Sequence, residues 1–339
     1  MTDSAARALR TTVTRKDVAR YAGVSAAVVS YVVNAGPKNV SPATEARVRD
    51  AISVLGYRPN AAARALKLGS SRLLGLIVPD TRNPFFTELA HAVEEEASAR
   101  GYAVLMTNSD GTMGKERTHI RNLAARQVDG VLLASNMFDP DLAELQAANI
   151  PAVLLNASRE ALGFATVGTD LRAGARAAVG HLIGHGHTSI ALAMGSNVAG
   201  EVDGRELGWL DALSAAGLPE GPIVRSLFTR DGGYAAGKRL LASAASPTAV
   251  FASSDMQAVG ILRALNEAGV AVPGEMAIVS FDGSTDAAYC WPPLSTVRQP
   301  VREMAAAAVS ALVGLHDSAA PAHVVIPSTL VLRRSCGCP

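Results

Sequence analysis

From Leu73 onward the chain alternates short apolar runs with amphipathic segments, and no other feature restricts its fold as strongly. LLGLIVPD, FFTELAHAVEEEASARG, YAVLMTNSD, a polar helix reaching Gln127, and DGVLLAS read as strand, helix, strand, helix, strand. Neighbouring parallel strands need a crossover long enough to hold a helix, so this order predicts a parallel sheet covered on both faces. The rhythm returns in TSIALAMG, GRELGWLDALSAAG, PTAVFASSD, MQAVGILRALNEAG and EMAIVSFDG. Two such units imply two lobes with a cleft between them.

The first 70 residues have a different texture. Thr14-x-x-Asp17 is a shortened capping box that starts a helix, with Val18, Tyr21 and Ala22 as its buried stripe. Gly23 ends it with a residue free to take positive φ. Ser25 caps a second helix whose inner stripe is Val29, Val32 and Val33, and Asn34-Ala-Gly-Pro closes it. Ser41 caps a third, with Pro42 at its first position and Val48, Ile52 and Leu55 inward, before Gly56 stops it. Two short helices joined by a glycine-containing turn, with a third closing the core, make a helix-turn-helix.

Charge separates the same two parts. Residues 1–68 hold 11 Lys+Arg and 4 Asp+Glu, a net +7, within a chain whose overall net charge is +1. The remainder therefore carries −6. A basic head on a mildly acidic body is the footprint of a polyanion-binding module joined to something else.

TRKDVARYAGVSAAVVSYVVN and VSPATEARVRDAISVLGYRPNAAARAL closely resemble the LacI/GalR family of bacterial transcription regulators, and the likeness runs from about Val13 to Arg334. It implies an all-α helix-turn-helix head over residues 1–58 and a hinge helix and linker over 59–71. It further implies an α/β periplasmic-binding-protein-like core of two doubly wound lobes over 72–339. On that pattern the N-lobe takes about 72–169 and 300–320, and the C-lobe about 170–299 and 321–335. The hinge segment RPNAAARAL would fold when two subunits meet over DNA, with Leu66 as a minor-groove wedge; an isolated helix of this length is marginal in water.

By the same resemblance Ala26, Ala27 and Tyr31 face base edges. Alanine makes no bidentate hydrogen bond, so it reads at most a thymine methyl. Sequence readout should then lean on DNA deformability at the step kinked by Leu66. Thr14, Ser25, Asn34, Arg58 and Asn60 are the expected phosphate anchors, and Ser30 and Ala63 complete the DNA-facing set.

Open α/β sheets bind ligands beyond the carboxyl ends of their strands. Asn156, Ser254, Asp255 and Asp282 stand there, Arg205 opens a helix, and Phe85, Phe86 and Phe228 offer apolar faces. A sugar-sized ligand needs both kinds of group. The resemblance places Arg205, Asp282, Phe86 and Phe228 at the ligand. Phe85 as core, Asp255 as a structural cap, and Arg205 and Asp282 as plain surface or salt-bridging residues remain competing readings. Trp209 and Trp291 read as packing or interface residues.

Other classes find little support. No GK[ST]-ended P-loop, HExxH or GxSxG motif occurs, so no enzyme and no cofactor are expected. His181 and His185 have i, i+4 metal-ligand spacing, but HLIGHGH reads more simply as a helix end capped at Gly184 or Gly186. Cys336 and Cys338 have no histidine beside them in sequence, and two thiols do not close a zinc site, so they read as a frayed tail with no metal. No run approaches the ~18–20 apolar residues of a membrane span, and MTDSAARALRTTVTRKDVAR lacks an apolar signal core. The expectation is a cytoplasmic, nucleoid-associated homodimer. It would bind a double-stranded, pseudo-palindromic operator and a small-molecule effector, with carbohydrate as the class the resemblance implies. A small-molecule carrier, or a DNA-binding protein whose body docks another protein, stays open as the alternative.

Overall fold

A computed structural model describes residues 13–34, 39–58, 65, 69–135, 142–157, 161, 163–195, 202–316 and 320–338. The expected hinge residues Asn60, Ala63 and Leu66 lie outside that set. The chain forms two units, Met1–Ser71 and Arg72–Pro339.

In the first unit, α1 (Arg15–Ala22), α2 (Ala26–Asn34) and α3 (Pro42–Leu55) enclose Val18, Ala19, Ala22, Val29, Val48 and Ala51. The Thr14 backbone N–H and hydroxyl donate to Asp17 at 3.0 and 2.6 Å, so the first helix begins where its cap lies. Gly23 takes φ +64°, which lets Val24 N–H turn back to the Ala19 carbonyl at 3.0 Å. One expectation fails here: Tyr21 is 56% exposed, and Ala19 fills the inward position instead. Three short helices enclose a narrow core that accepts a methyl and leaves the phenol ring in water.

The second unit runs β1 (Leu73–Val78), α4 (Pro84–Ala99), β2 (Ala103–Asn108), α5 (Met113–Ala125), β3 (Gly130–Ala134), α6 (Ala143–Ala148), β4 (Ala152–Leu155) and β5 (Ala165–Thr169). It continues with α7 (Leu171–Gly184), β6 (Ile190–Met194), α8 (Gly204–Ala215), β7 (Ile223–Arg225), α9 (Arg230–Leu241), β8 (Ala249–Ala252), α10 (Asp255–Glu267) and β9 (Ala277–Asp282). Then come α11 (Thr285–Tyr289), β10 (Ser295–Arg298), α12 (Val301–His316), β11 (His323–Ile326), β12 (Thr329–Val331) and a 3-10 turn at Arg334–Cys336.

Two six-stranded sheets result, ordered β11-β5-β4-β3-β1-β2 and β12-β10-β9-β8-β6-β7. Every pairing is parallel except that of the edge strand β12 with β10. Both faces of each sheet are packed, which is why the strands read as unbroken apolar runs rather than alternating ones. In β1, Leu74, Leu76 and Val78 join one cluster with α4 and α12, while Ile77 joins the other with α5.

The strand pairing corrects the lobe boundary. His323–Ile326 lies parallel to Thr166–Thr169 in the first sheet, so the N-lobe extends through β11, and only β12 and the tail return to the C-lobe. A four-residue edge strand carries no local mark of which sheet it joins. The chain thus passes between lobes three times, after Thr169, after Gln299 and between β11 and β12.

Trp209 is fully buried and donates from Nε1 to the Ile190 carbonyl at 3.2 Å, whereas Trp291 is 80% exposed and packs in no core. The tail is ordered: the Ser335 hydroxyl donates to the Ile278 carbonyl at 2.7 Å, and Cys336 is 1% exposed. The frayed-tail expectation is therefore wrong, because Ser335 also accepts from the Ser295 N–H at 2.8 Å and pins the turn against the sheet. No helix among the described residues is long and apolar enough to cross a membrane.

Candidate functional site

On α2 the surface is as spare as its sequence. Ala27 is exposed and Ala26, Ser30 and Tyr31 are half-buried, so the helix presents little but methyls and one phenol. Ser25 is exposed and its hydroxyl accepts from the Val28 N–H at 3.3 Å. Thr14 and Arg58 are exposed too, although the single hydroxyl proton of Thr14 is engaged by Asp17. Asn34 closes α2.

In the second unit, Arg205 organises the strand ends of the C-lobe. It is the second residue of α8, whose cap Asp203 accepts from the Arg205 N–H at 2.8 Å. The same carboxylate takes Nε and Nη2 at 3.0 and 2.9 Å, a bidentate pair that fixes the guanidinium plane. Nη1 donates to the Ser253 carbonyl at 2.8 Å. The guanidinium carbon lies 5.1 Å from the Phe228 ring centre and 5.7 Å from that of Phe281. Burial works against its charge, but Asp203 and then Asp282 more than offset this and hold the group protonated.

Asp282 ends β9 with φ +115°, a backbone region that side chains avoid at a cost of about 1–3 kcal/mol. Its carboxylate accepts from Gln299 Nε2 at 3.0 Å. Burial and the neighbouring Asp255 charge push it well above the usual carboxylate range, with Arg205 and the Gln299 hydrogen bond opposing. Gln299 reaches the other way as well, accepting from the Thr169 hydroxyl at 3.0 Å. Two of the three interlobe crossings are thereby joined to Asp282 through one amide. The lobes also meet where the Thr285 N–H and hydroxyl donate to Glu88 at 2.8 and 2.6 Å.

Four expected ligand contacts turn inward. Asp255 is 1% exposed and accepts from the hydroxyls of Ser280, Thr296 and Ser284 and from the Ser284 N–H, all at 2.6–2.8 Å. Both its oxygens are saturated by the lobe itself, so the structural-cap reading replaces the ligand one. Ser254 is 2% exposed and caps α10 by accepting from the Gln257 N–H at 3.2 Å. Phe85 and Phe86 are 2% and 3% exposed and pack edge to face at 5.0 Å within the N-lobe core. Apolar partners surround both rings, and neither presents a face to solvent. Asn156, at φ +61° just past β4, and Phe228 remain half-buried at strand ends beside Arg205 and Asp282 in the candidate set.

Sequence reading passed over Gln257. Its Nε2 donates to the Ser226 hydroxyl at 2.9 Å and the Met194 carbonyl at 3.3 Å, while Oε1 accepts from the Ser253 hydroxyl at 2.8 Å. One buried amide thus ties together the segments that carry Phe228 and the Arg205 anchor. Ser254-x-x-Gln257 is a capping-box spacing, which was the available signal. Gln299, directly after β10, obeys the same strand-end rule that selected Asp282.

The tail corrects one more reading. His181 Nε2 lies 3.3 Å from Cys336 Sγ and 3.5 Å from Cys338 Sγ, and His185 Nε2 lies 3.5 Å from Cys338 Sγ. The helix that carries His181 ends at Gly184, and its cap is His185 rather than either expected glycine, with Gly186 following at φ +89°. What sequence could not show is that the chain returns 155 residues later to set both thiols against it.

Residues 14–60 match the family described as bacterial regulatory proteins, lacI family, and residues 179–336 match a periplasmic binding protein-like domain. Catabolite control protein A of Priestia megaterium is 36% identical over 308 residues, 88% of this chain and 91% of that protein. The HTH-type transcriptional repressor PurR of Pectobacterium carotovorum subsp. carotovorum (strain PC1) is 34% identical over 329 residues, covering 95% and 96%. Among solved structures, the Lac repressor dimer bound to operator and the anti-inducer ONPF superposes with a TM-score of 0.85 at 28% identity, over 96% of this chain and 99% of that one. A transcriptional regulator CelR–cellobiose complex gives 0.69 at 32% identity, over 95% and 99%. With a capped helix-turn-helix at one end and a two-lobed core whose charged groups gather at strand ends, the chain belongs to the lacI family of bacterial regulatory proteins and is a ligand-responsive, DNA-binding transcription regulator.

Proposed function

We propose that the protein is a cytoplasmic, homodimeric repressor, without enzymatic activity, whose operator affinity is set by a small hydroxylated ligand of the carbohydrate class. The observation that carries this reading is the grouping of Arg205, Phe228 and Asp282 beyond the strand ends of the C-lobe. Arg205 supplies directed donors, Phe228 a stacking face, Asp282 a buried carboxyl for hydroxyls, and Asn156 a further amide from the N-lobe. The CelR–cellobiose complex and the operator-bound Lac repressor dimer support ligand class and assembly by likeness. Coupling runs through Gln299, since a ligand that draws on Asp282 disturbs the amide that also holds Thr169 at a crossing. A coupling of about 1–3 kcal/mol changes affinity roughly 5–150-fold.

On the DNA side, Ala26, Ala27 and Tyr31 face base edges, Thr14, Ser25, Asn34, Arg58 and Asn60 meet phosphates, Leu66 is the minor-groove wedge, and Ser30 and Ala63 complete the DNA-facing set. Two measurements test the proposal. Selection of genomic fragments should enrich one palindrome with wild type and lose it with Leu66→Ala; equal recovery by both would remove the wedge role. Calorimetry with mono- and disaccharides and with purine bases should find one class that binds wild type and binds Asp282→Asn at least 10-fold more weakly. Heat from none of them, or equal heat from both proteins, would reject the assigned site.

A further inference from the structure

We propose that His181, His185, Cys336 and Cys338 form a zinc-class metal site that fastens the C-terminal tail to the end of α7. The four residues share none with the proposed effector set, so the inference is independent of that assignment.

The N···S separations in the cluster match the edges of a tetrahedral metal site. With metal–sulfur bonds of about 2.3 Å and metal–imidazole bonds of about 2.0–2.1 Å, each N···S edge of a tetrahedral site measures about 3.5–3.6 Å. The three N···S separations are 3.3, 3.5 and 3.5 Å. The ligating atoms of His181, Cys336 and Cys338 all fall within 4.8 Å of one another, and the His181 and His185 ring centres are 4.6 Å apart. Three donors already stand together, and a turn of the exposed His185 side chain, whose Nε2 is 3.5 Å from Cys338 Sγ, would bring in the fourth.

Each half of the set is arranged by its local backbone. Spacing of i, i+4 at the end of a helix puts two imidazoles on one face. Gly337, at φ +93°, reverses the chain between the two cysteines so that both sulfurs face the same way. The Ser295 hydroxyl lies 2.9 Å from Cys336 Sγ, the outer-shell hydrogen bond that commonly orients and steadies a thiolate ligand. The three cysteines of the chain are all free thiols.

The donor chemistry selects the ion. Two thiolates and two imidazoles suit zinc and disfavour magnesium or calcium, which take oxygen. Four protein ligands leave no open position, so the site is structural rather than catalytic. Cys336 is buried, while His185 is exposed and Cys338 half-buried, which gives the ion an entry path from solvent. Once bound, it would secure the tail that carries β12 and the Ser335 contacts to β9 and β10.

The test uses the full-length, reduced protein freed of metal by a chelator, titrated with Co(II) and then with Zn(II). One equivalent of cobalt should produce the intense visible bands of a tetrahedral site together with a thiolate charge-transfer band, and zinc should abolish both. Zinc should also raise the thermal unfolding midpoint. Cys338→Ser and His185→Gln remove ligands from the solvent side and should each weaken binding by more than about 100-fold, beyond the 10–100-fold typical of outer-shell changes. Cys290→Ser and His187→Gln, outside the cluster, should leave uptake unchanged, and circular dichroism of all four variants checks that they fold. Octahedral cobalt spectra, no stoichiometric uptake, or equal uptake by folded Cys338→Ser and His185→Gln would overturn the proposal.

Discussion

The two lobes share a strand order position by position, yet they are held together by different means. If β6 to β10 and β12 of the C-lobe are set against β1 to β5 and β11 of the N-lobe, the two sheets read alike. They differ at the returning edge strand, parallel in the N-lobe and antiparallel in the C-lobe. The two-residue link Pro327-Ser328 gives the chain no room to turn over between them. At the strand ends the N-lobe sets the Phe85–Phe86 pair in its core, whereas the C-lobe sets Asp255, Gln257, Asp282 and Arg205 there. One architecture therefore supports an apolar helix start in one lobe and a dense polar network in the other.

Asp255→Ala should break this comparison most severely. It leaves the donors of Ser280, Ser284 and Thr296 without their acceptor in the C-lobe interior, and a loss of about 3–5 kcal/mol is expected. Peptide-resolved hydrogen exchange should show the loss in β8–β10 with the N-lobe strands still protected. Equal loss in both lobes would mean that they unfold as one.

Helix packing supplies the next contrast. A Cβ on Gly260 would sit 2.0 Å from the Arg230 carbonyl oxygen, because α9 and α10 touch backbone to backbone. A Cβ on Gly75 in the N-lobe would instead meet the tip of the Leu123 side chain at 2.6 Å. Gly260→Ala should cost about 2–3 kcal/mol and Gly75→Ala about 1 kcal/mol, since a leucine can change rotamer and a main chain cannot. Urea denaturation of the two variants checks the order; a larger cost at Gly75 would contradict it.

A comparably small effect, read as a pH dependence, concerns the N-lobe's own buried acid. Burial raises Glu116 to about 7 from an ordinary 4.5, with hydrogen bonds from Ser135 and Ser109 opposing. Among the described residues its Oε1 has no hydrogen-bond partner. The folded chain therefore keeps a proton there that the unfolded chain releases. The resulting stability is fully present below pH about 4.5 and disappears as pH rises through about 7. Glu116→Gln should flatten this dependence and stabilise the protein at pH 8 by about 1–2 kcal/mol. Thermal unfolding of wild type and variant at pH 5.5 and pH 8 measures it, and parallel curves would show that Glu116 does not titrate in that window.

Local patterns carried most of the architecture. Thr14, Gly23, Ser41 and Gly56 mark helix ends through hydrogen bonds and dihedrals formed within a few residues, so their sequence spacing is sufficient to find them. Apolar runs such as IALAM and AVFA declare buried parallel strands for the same reason. The candidate site was only half legible. The strand-end rule selected Asp282, and the helix start and the family resemblance selected Arg205, but the same rule also selected Ser254 and Asp255, whose hydrogen bonds turn out to lie within the lobe.

The sequence by itself determined the two parts, the helix-turn-helix and the two α/β lobes, because each rests on short-range periodicity, capping or charge, while the family showed in the resemblance of the head's quoted stretches. Only the tertiary structure decided that β11 joins the first sheet, that Gln299, which holds Asp282, also reaches Thr169 130 positions away, and that the tail thiols meet His181 and His185. Those outcomes depend on which distant segments share a sheet edge or a helix end. Such pairings are chosen by the packing of the whole core, and no stretch of neighbouring residues encodes them.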